Sequence, residues 1–205
     1  MWIVKIGGSL NTNPNLPAWL NLLAQCGGGR VTVVSGGGNF ADEVRRAQAH
    51  RQFGELSAHN MAVLAMVQMA YLMHGLNPAL QLTRSKADIR RVLHSGKTAL
   101  WLPFEMQRHR PGHQTNWDVT SDSIALELAR RLNAERLVLV KSCEIDPKSS
   151  VVELAEAGIV DRRFASLTEG AAFPIDFVHH AELARVRALL LGEARPIYDG
   201  RSVAP

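Results

Sequence analysis

Five apolar runs of four to six residues recur along the chain, and none of them alternates with polar residues. Such runs are typical of strands buried on both faces of a sheet. Longer helical patterns separate them, so right-handed crossovers should join the strands into a mainly parallel sheet with helices on both faces. The sequence therefore predicts an α/β fold. The predicted strands are residues 2–6, 31–34, 99–102, 137–140 and 175–178, and the predicted helices are residues 16–26, 39–50, 55–75, 120–132 and 181–191.

Glycine clusters follow the first two predicted strands, in "VKIGGSL" and "VVSGGGNF". Ligands of open α/β sheets bind at the carboxyl ends of the strands, and glycine lets backbone N–H groups approach an anion closely. Tight strand-to-helix turns are the alternative explanation. Lys5 favours a phosphate site, because a lysine late in an apolar strand is costly to bury unless its ammonium meets an anion beside the glycines.

A third polar stretch, "NWDVTSDS", precedes the helical pattern over residues 120–132. Thr120, Ser121 and Asp122 supply the hydroxyl and carboxylate groups that cap a helix start. Ordinary capping explains one or two of these residues and leaves their crowding unexplained. We expect a carboxylate of Asp118 or Asp122 to hold a lysine in position or to bind magnesium.

Two further patterns are weak signals. "GKT" at residues 96–98 resembles the end of a P-loop, but Arg91 stands where that motif needs glycine and the segment precedes a strand, so we predict a turn. His109 and His113 have a metal-like spacing. They lie in a predicted loop over residues 106–117 without a companion ligand, so no metal site is expected there.

The length and composition indicate a soluble globular protein of one domain or a tightly fused pair of lobes. The chain has 205 residues, of which 46% are hydrophobic, enough for a full core. The net charge of +4 comes mostly from arginines, which are scattered along the chain with several in pairs, so nucleic-acid binding is not expected. Cys26 and Cys143 lie far apart, which argues against a disulfide framework or a zinc site. No signal peptide or membrane-spanning stretch is apparent, so we expect a cytoplasmic protein without membrane partners.

Together, the three polar stretches resemble the amino-acid kinase superfamily. The similarity runs in the same order through "VKIGGSL", "VVSGGGNFADEVR", "TSDSIALELARRL" and "FVHHAELARVRALLLGE". It implies one open αβα sandwich over residues 1–205. The lobe of about residues 1–115 would bind a small-molecule phosphate acceptor, and the lobe of about residues 116–205 would bind ATP with Mg²⁺. It also implies a homodimer or higher homo-oligomer built on the helix near residues 55–75. The apolar character of this helix in nearly every direction supports that expectation independently.

The resemblance assigns roles to individual residues. It implies that Lys5 neutralises charge on the transferring phosphoryl group and that Asp122 orients this lysine. The predicted nucleotide- and phosphate-binding residues are Gly7, Gly8, Ser9, Lys141, Ser142 and Asp161. The predicted acceptor-binding residues are Gly36, Gly37, Gly38, Asn39, Phe40, Trp117, Asp118, Thr120 and Ser121.

Within the superfamily, "NWDVTSDS" and the late "HHAELARVRALLLGE" are most similar to the branch that phosphorylates an aminomethylfuran monophosphate on the route to methanofuran or methylofuran. Such a substrate needs an anion site, an aromatic or apolar wall and an oxygen group for its ammonium. Phe40, Trp117 and Asp118 are the candidates for the wall and the oxygen. A uridylate or isopentenyl phosphate kinase, and a non-catalytic ligand-binding protein of this fold, are the alternatives.

The chain departs from the superfamily pattern in two places. "KSCEIDP" replaces the usual aspartate–glycine pair after the fourth predicted strand, and no lysine follows Lys148, where several members carry a second catalytic lysine. Lys141, Arg162 and Arg163 are the candidates for this second cation. Weak nucleotide binding is the alternative.

Overall fold

The computed structural model describes residues 1–108 and 117–193 and the backbone of residues 202–203. The strands in this part of the chain are β1 (Trp2–Ile6), β2 (Val31–Ser35), β3 (Gln81–Thr83), β4 (Ala99–Trp101), β5 (Arg136–Lys141), β6 (Ile175–His179) and β7 (Ser202–Val203). They form one sheet in the order β3-β4-β2-β1-β5-β6-β7. The first six strands run parallel to their neighbours, and β7 pairs antiparallel with β6.

Helices connect the strands, as parallel pairing requires. They are α1 (Leu16–Cys26), α2 (Gly38–Arg51), α3 (Glu55–Leu76), α4 (Lys86–His94), α5 (Phe104–Gln107), α6 (Ser121–Leu132), α7 (Val151–Glu156), α8 (Phe164–Thr168) and α9 (Leu183–Leu191). A 3₁₀ helix, Gly8–Thr12, follows β1 directly.

Two hydrophobic cores lie on opposite faces of the sheet. Successive β1 residues enter different cores: Ile3 packs in the core on the side of α6 and α8, and Val4 packs in the core on the side of α1 and α9. Side chains alternate along a strand, so Lys5 lies on the same face as Ile3, toward α6. The predicted αβα sandwich with a mainly parallel sheet is confirmed.

Each predicted strand and helix is present, with ends shifted by at most two residues. The prediction missed β3, α4, β7 and the short helices. Residues 96–98 join α4 to β4 in a turn and a loop, as predicted. The predicted loop over residues 106–117 lies mostly outside the described residues, as do His109 and His113.

Helix α3 is apolar on two opposite faces. Met66 packs in one core, and Met69 and Met73 pack in the other. On the outer face, the large apolar side chains of Met61, Leu64 and Tyr71 are 40–49% exposed, and Leu76 at the end of the helix is 52% exposed. The expectation that no stretch is long enough to span a bilayer needs correction, because α3 has the length and the hydropathy to do so. In this fold its inner face is part of the cores.

Candidate active site

Two lysines share one buried carboxylate at the carboxyl ends of β1 and β5. Lys5 Nζ lies 2.8 Å from Oδ1 of Asp122, and Lys141 Nζ lies 2.7 Å from Oδ2. Lys141 also donates a hydrogen bond of 2.6 Å to the carbonyl oxygen of Ile159. In the parallel β1–β5 pair, Lys5 is aligned with Leu139, so Lys141, two residues further on, lies on the same sheet face. The two strands thus place both ammonium groups beside α6, which carries Asp122.

Burial and charge oppose each other in this cluster. Burial alone raises the pKa of Asp122, but the ammonium groups of Lys5 and Lys141 outweigh it and lower this pKa to about 2. Burial lowers the pKa of Lys5 below its ordinary 10.5, and the attraction of Asp122 offsets this only in part. Asp122 is therefore ionised at neutral pH, and it is shared between two cationic side chains.

The two glycine clusters pack backbone against backbone. A Cβ atom on Gly8 would lie 2.3 Å from the backbone nitrogen of Gly38, and one on Gly36 would lie 2.4 Å from the nitrogen of Gly8. Gly38 also has a φ of +54°, which L side chains rarely adopt. Residues 7–9 and 36–38, called here the joined glycine loops, therefore form one continuous backbone surface.

A cavity of about 560 Å³ opens beside the joined glycine loops. Lys5 lies at its buried end, and the first turns of α2, α3 and α6 contribute to its walls. Of the predicted site residues, the cavity is lined by Lys5, Gly8, Ser9, Gly37, Gly38, Asn39, Trp117, Thr120 and Ser121. The structure thus brings together residues from three separate stretches of the sequence.

Eight of the predicted residues do not line the main cavity, and they are Gly7, Gly36, Phe40, Asp118, Asp122, Lys141, Ser142 and Asp161. Phe40 packs against the core on the α1 side, because it lies on a different face of α2 from the lining residue Asn39. The side chain of Asp118 does not line the cavity and lies 3.9 Å from Arg162. The backbone of Gly36 packs against the backbone of Gly8. The N–H of Gly7 donates a hydrogen bond of 3.0 Å to the carbonyl oxygen of Val140. Phe40 and Asp118, predicted for the furan wall and the ammonium site, therefore lie outside the cavity in this structure.

Asp161 caps helix α6 from outside the helix. Its carboxylate accepts hydrogen bonds from the N–H and hydroxyl of Thr120, both at 3.0 Å, and from the N–H and hydroxyl of Ser123, at 3.1 and 2.5 Å. These contacts occupy the carboxylate of Asp161, which was predicted to bind nucleotide. Asp161 therefore holds the start of the helix that carries Asp122.

The first glycine loop also touches the loop after β5. The hydroxyl oxygens of Ser9 and Ser142 lie 2.7 Å apart. Nearby, at the carboxyl end of β6, a smaller cavity of about 230 Å³ is lined by Glu144, Ile145, Phe177, His179 and Glu182. This cavity lies in the region predicted to bind nucleotide.

Sequence reasoning missed the polar residues at the mouth of the main cavity. Asp42 and Arg45 line it and form an ion pair of 2.8 Å. The guanidinium of Arg45 also lies 4.4 Å from the ring centroid of Trp117. A spacing of three residues from Asn39 to Asp42 to Arg45 places them on one face of α2, and this spacing is the signal that could have found them.

No sequence motif indicates that residues of α3 line the mouth of the cavity. Glu55 and His59 line the cavity from the first turns of α3. Gln48 joins this group to α2, because its side-chain oxygen accepts from Trp117 Nε1 at 2.6 Å and its side-chain nitrogen donates to Glu55 at 3.2 Å. Only the packing of α3 against α2 brings these residues together.

Comparison with known proteins gives both a sequence family and a fold. Residues 1–144 match the amino acid kinase family. Over 143 residues the chain is 28% identical to a [5-(aminomethyl)furan-3-yl]methyl phosphate kinase from Methanocaldococcus jannaschii; the match covers 68% of this chain and 64% of that protein, less than two thirds of its length.

Solved structures of similar fold include two kinases of uridine monophosphate. A uridylate kinase from Archaeoglobus fulgidus aligns with a TM-score of 0.69 at 18% identity, covering 94% of this chain and 96% of its own. A UMP kinase from Bacillus anthracis aligns with a TM-score of 0.66 at 18% identity, covering 93% of this chain and 91% of its own. An aspartate kinase from Synechocystis aligns with a TM-score of 0.65 at 13% identity, covering 88% of this chain and 38% of its own. With its family match over residues 1–144 and this shared fold, the chain belongs to the amino acid kinase family.

Proposed function

We propose that this protein is an ATP-dependent phosphotransferase whose acceptor is itself a phosphate group. The arrangement of Lys5, Asp122 and Lys141 beside the joined glycine loops carries the proposal. Phosphoryl transfer brings two anions together and spreads charge over the equatorial oxygens, so its catalysis is mainly positioning and electrostatic stabilisation. Lysine ammonium groups and backbone N–H groups supply both.

Lys141 takes the place of the second catalytic lysine that the sequence lacks. Its ammonium binds the same carboxylate as Lys5 and is buried with it. The side chain of Arg162, by contrast, is 86% exposed and lies near Asp118, outside the cavity. A cation at Lys141 stands beside Lys5, where charge develops on the transferring group.

ATP is the proposed donor, bound over residues of about 116–205. The Ser9–Ser142 contact and the smaller cavity at the end of β6 support this placement, because they connect the first glycine loop with the carboxyl ends of β5 and β6. Within the described residues, no group of three or more His, Cys, Asp or Glu side chains suits a metal ion. Asp122 is already occupied by two lysines. Mg²⁺ would therefore be held mainly by the nucleotide phosphates, with its charge added to that of Lys5 and Lys141.

The proposed acceptor is an aminomethylfuran methyl phosphate. The γ-phosphoryl group of ATP moves to an oxygen of the acceptor phosphate, the bond to the β-phosphate oxygen breaks, and ADP and a diphosphate result. The M. jannaschii relative, named for this phosphate, supports the choice of acceptor. The proposed place in methanofuran or methylofuran synthesis follows from the sequence resemblance. Uridylate is the second candidate, because uridylate kinase shares the fold over nearly the whole chain. Use of ATP makes the cytoplasm the expected location.

We also propose a homodimer or higher homo-oligomer joined through α3. The exposed apolar side chains of Met61, Leu64 and Tyr71 support it, because they recur on one face at helical spacing. A second copy of this helix would cover them in an isologous contact.

One assay tests the reaction and the acceptor together. ADP release is measured with ATP, Mg²⁺ and one monophosphate at a time: the aminomethylfuran phosphate, UMP and isopentenyl phosphate. ³¹P NMR identifies the product as a diphosphate. We expect turnover with the furan, and none in the Lys5→Ala variant. If no acceptor raises ADP release above that variant, the protein is a non-catalytic binder.

A further inference from the structure

We propose that Glu55 binds a cationic group of the acceptor, so that the main cavity selects phosphate esters bearing an ammonium at the end remote from the phosphate. This role rests on the proposed function and makes Glu55 the residue that determines acceptor specificity. It replaces Asp118, which the structure places outside the cavity.

The two carboxylates at the cavity mouth differ in their partners. Asp42 is paired with Arg45 at 2.8 Å. Within the described part of the chain, Glu55 has no ion pair, and it accepts a hydrogen bond from the neutral amide of Gln48. A carboxylate held by an amide keeps its charge and its remaining lone pairs for a ligand.

The other cationic groups that line the cavity are committed elsewhere. Lys5 binds Asp122, and Arg45 binds Asp42 while lying over the ring of Trp117. Burial lowers the pKa of His59. Its Nε2 lies 3.4 Å from the carbonyl oxygen of Gln107, which can only accept, so the neutral tautomer carries its proton there. The cavity mouth therefore retains one negative charge for an incoming cation.

Gln48 fixes the orientation of this carboxylate. The indole N–H of Trp117 can only donate, so the side-chain oxygen of Gln48 must accept it and the amide nitrogen is left to donate to Glu55. The same bond anchors the edge of the Trp117 ring, which lines the cavity as a flat apolar wall. Gln48 is thus a positioning residue for both the wall and the carboxylate.

Lys5 and Glu55 lie at different depths in the cavity, and this difference determines the orientation of a ligand that carries both charges. Lys5 is only 4% exposed, whereas Glu55 is at the exposed end of the cavity. A ligand with its phosphate toward Lys5 and its ammonium toward Glu55 satisfies both charges. In the furan for which the relative is named, the aminomethyl group and the methyl phosphate group are attached to different ring carbons. UMP and isopentenyl phosphate carry no ammonium.

The test compares two ligands that differ only in that charge. They are [5-(aminomethyl)furan-3-yl]methyl phosphate and its neutral hydroxymethyl counterpart. The unmodified protein should prefer the amine. Glu55→Gln should raise KM for the amine by about 10- to 100-fold, the size of one lost charge-assisted hydrogen bond, with little change in kcat. KM for the hydroxymethyl compound should stay nearly constant. Gln48→Leu should act in the same direction and more weakly.

Glu43→Gln is the matched control, because Glu43 is exposed on α2, pairs with Arg46 and does not line the cavity. Calorimetric binding of both compounds without ATP separates this inference from the proposed reaction. An inactive protein that still prefers the amine, and loses the preference in Glu55→Gln, refutes the reaction and supports the ammonium site. Equal effects of Glu55→Gln on both compounds, no effect on either, or no binding of either compound would overturn the site.

Discussion

The Nζ atom of Lys5 lies 2.8 Å from Oδ1 of Asp122, with both side chains almost completely buried. A strand residue and a helix residue 117 positions apart in sequence thus form one charged pair at the inner end of the cavity. The pair keeps the ammonium in one place beside the joined glycine loops, where the proposed phosphate would lie. Its removal should therefore affect chemistry more than substrate binding.

Lys5→Ala should lower kcat by about two orders of magnitude or more, with a smaller change in KM. A positioned cation acts mainly on the charge that develops in the transition state. Steady-state kinetics with the best acceptor measure this effect. Lys97→Ala, at an exposed position between α4 and β4, is the control. A kcat near that of the unmodified protein would make Lys5 a purely structural residue.

Asp122 should make stability depend on pH in the acid range. Its pKa of about 2 lies below the ordinary 3.8, so its contribution is fully present above pH 3.8 and disappears as pH falls from 3.8 toward 2. The difference corresponds to about 2 kcal/mol of unfolding free energy. Urea unfolding between pH 2 and 7 measures it. Asp122→Asn should be less stable at pH 7 by about 3–5 kcal/mol, since two buried ammonium groups lose their partner. The gap between the two proteins should narrow below pH 3, and a constant gap would contradict the assignment.

Lys141 and Arg162 can be separated by a matched pair of substitutions. Lys141→Met should lower kcat by about 10- to 1,000-fold, because it removes the buried cation that shares the Asp122 carboxylate with Lys5. Arg162→Met should leave kcat within about twofold, since this side chain is exposed outside the cavity. Thermal unfolding of both variants checks that they fold. The opposite ranking of the two kcat values would assign the second cation to Arg162.

Gly8 should tolerate no side chain. A Cβ there would meet the backbone nitrogen of Gly38 at 2.3 Å, so Gly8→Ala must push the joined glycine loops apart. We expect a lower melting temperature and loss of phosphate-ligand binding by calorimetry. Gly75→Ala is the comparison, because a Cβ at this helical position meets nothing within 4 Å. Normal ligand affinity in Gly8→Ala would show that the contact between the loops is unnecessary for binding.

Tyr71→Glu should dissociate the proposed oligomer. Tyr71 is 49% exposed on the outer apolar face of α3, where a charge would be buried against the second copy. Light scattering at micromolar concentration should report at least twice the 22.5 kDa chain mass for the unmodified protein and a single chain mass for the variant. Val152→Glu is the control, at an exposed apolar residue of α7. A monomeric mass for the unmodified protein would refute the proposal.

The central strands were predictable because each is a run buried on both faces. The edge strand β3 was not, since it has three residues and two of them are only partly buried. Helix α4 did carry a local signal: Ser85 and Asp88 form a capping box at its start. Lys5 stood out as a lysine late in an apolar strand, whereas the choice of Asp122 over Asp118 as its partner came from the resemblance to the family.

The remaining site residues depend on how distant elements pack. Phe40 is adjacent to a glycine cluster in sequence, yet the helical rotation of α2 directs it into a core. Asp161 follows no motif, and its role appears only once it lies against the start of α6. Glu55 gains its position because α3 packs on α2. None of these relationships has a fixed spacing along the chain.

The position of both lysines on the sheet also bears on the entropy of catalysis. Lys5 and Lys141 belong to β1 and β5, which are adjacent strands at the centre of the sheet. Lys141 also donates hydrogen bonds to Asp122 and to the carbonyl oxygen of Ile159, which hold its side chain in place. A cation carried by a mobile loop must lose conformational freedom whenever a substrate arrives. Here the two ammonium groups lose that freedom once, when the chain folds. The electrostatic environment of the transferring group is therefore a property of the folded sheet, already assembled when the first ligand enters.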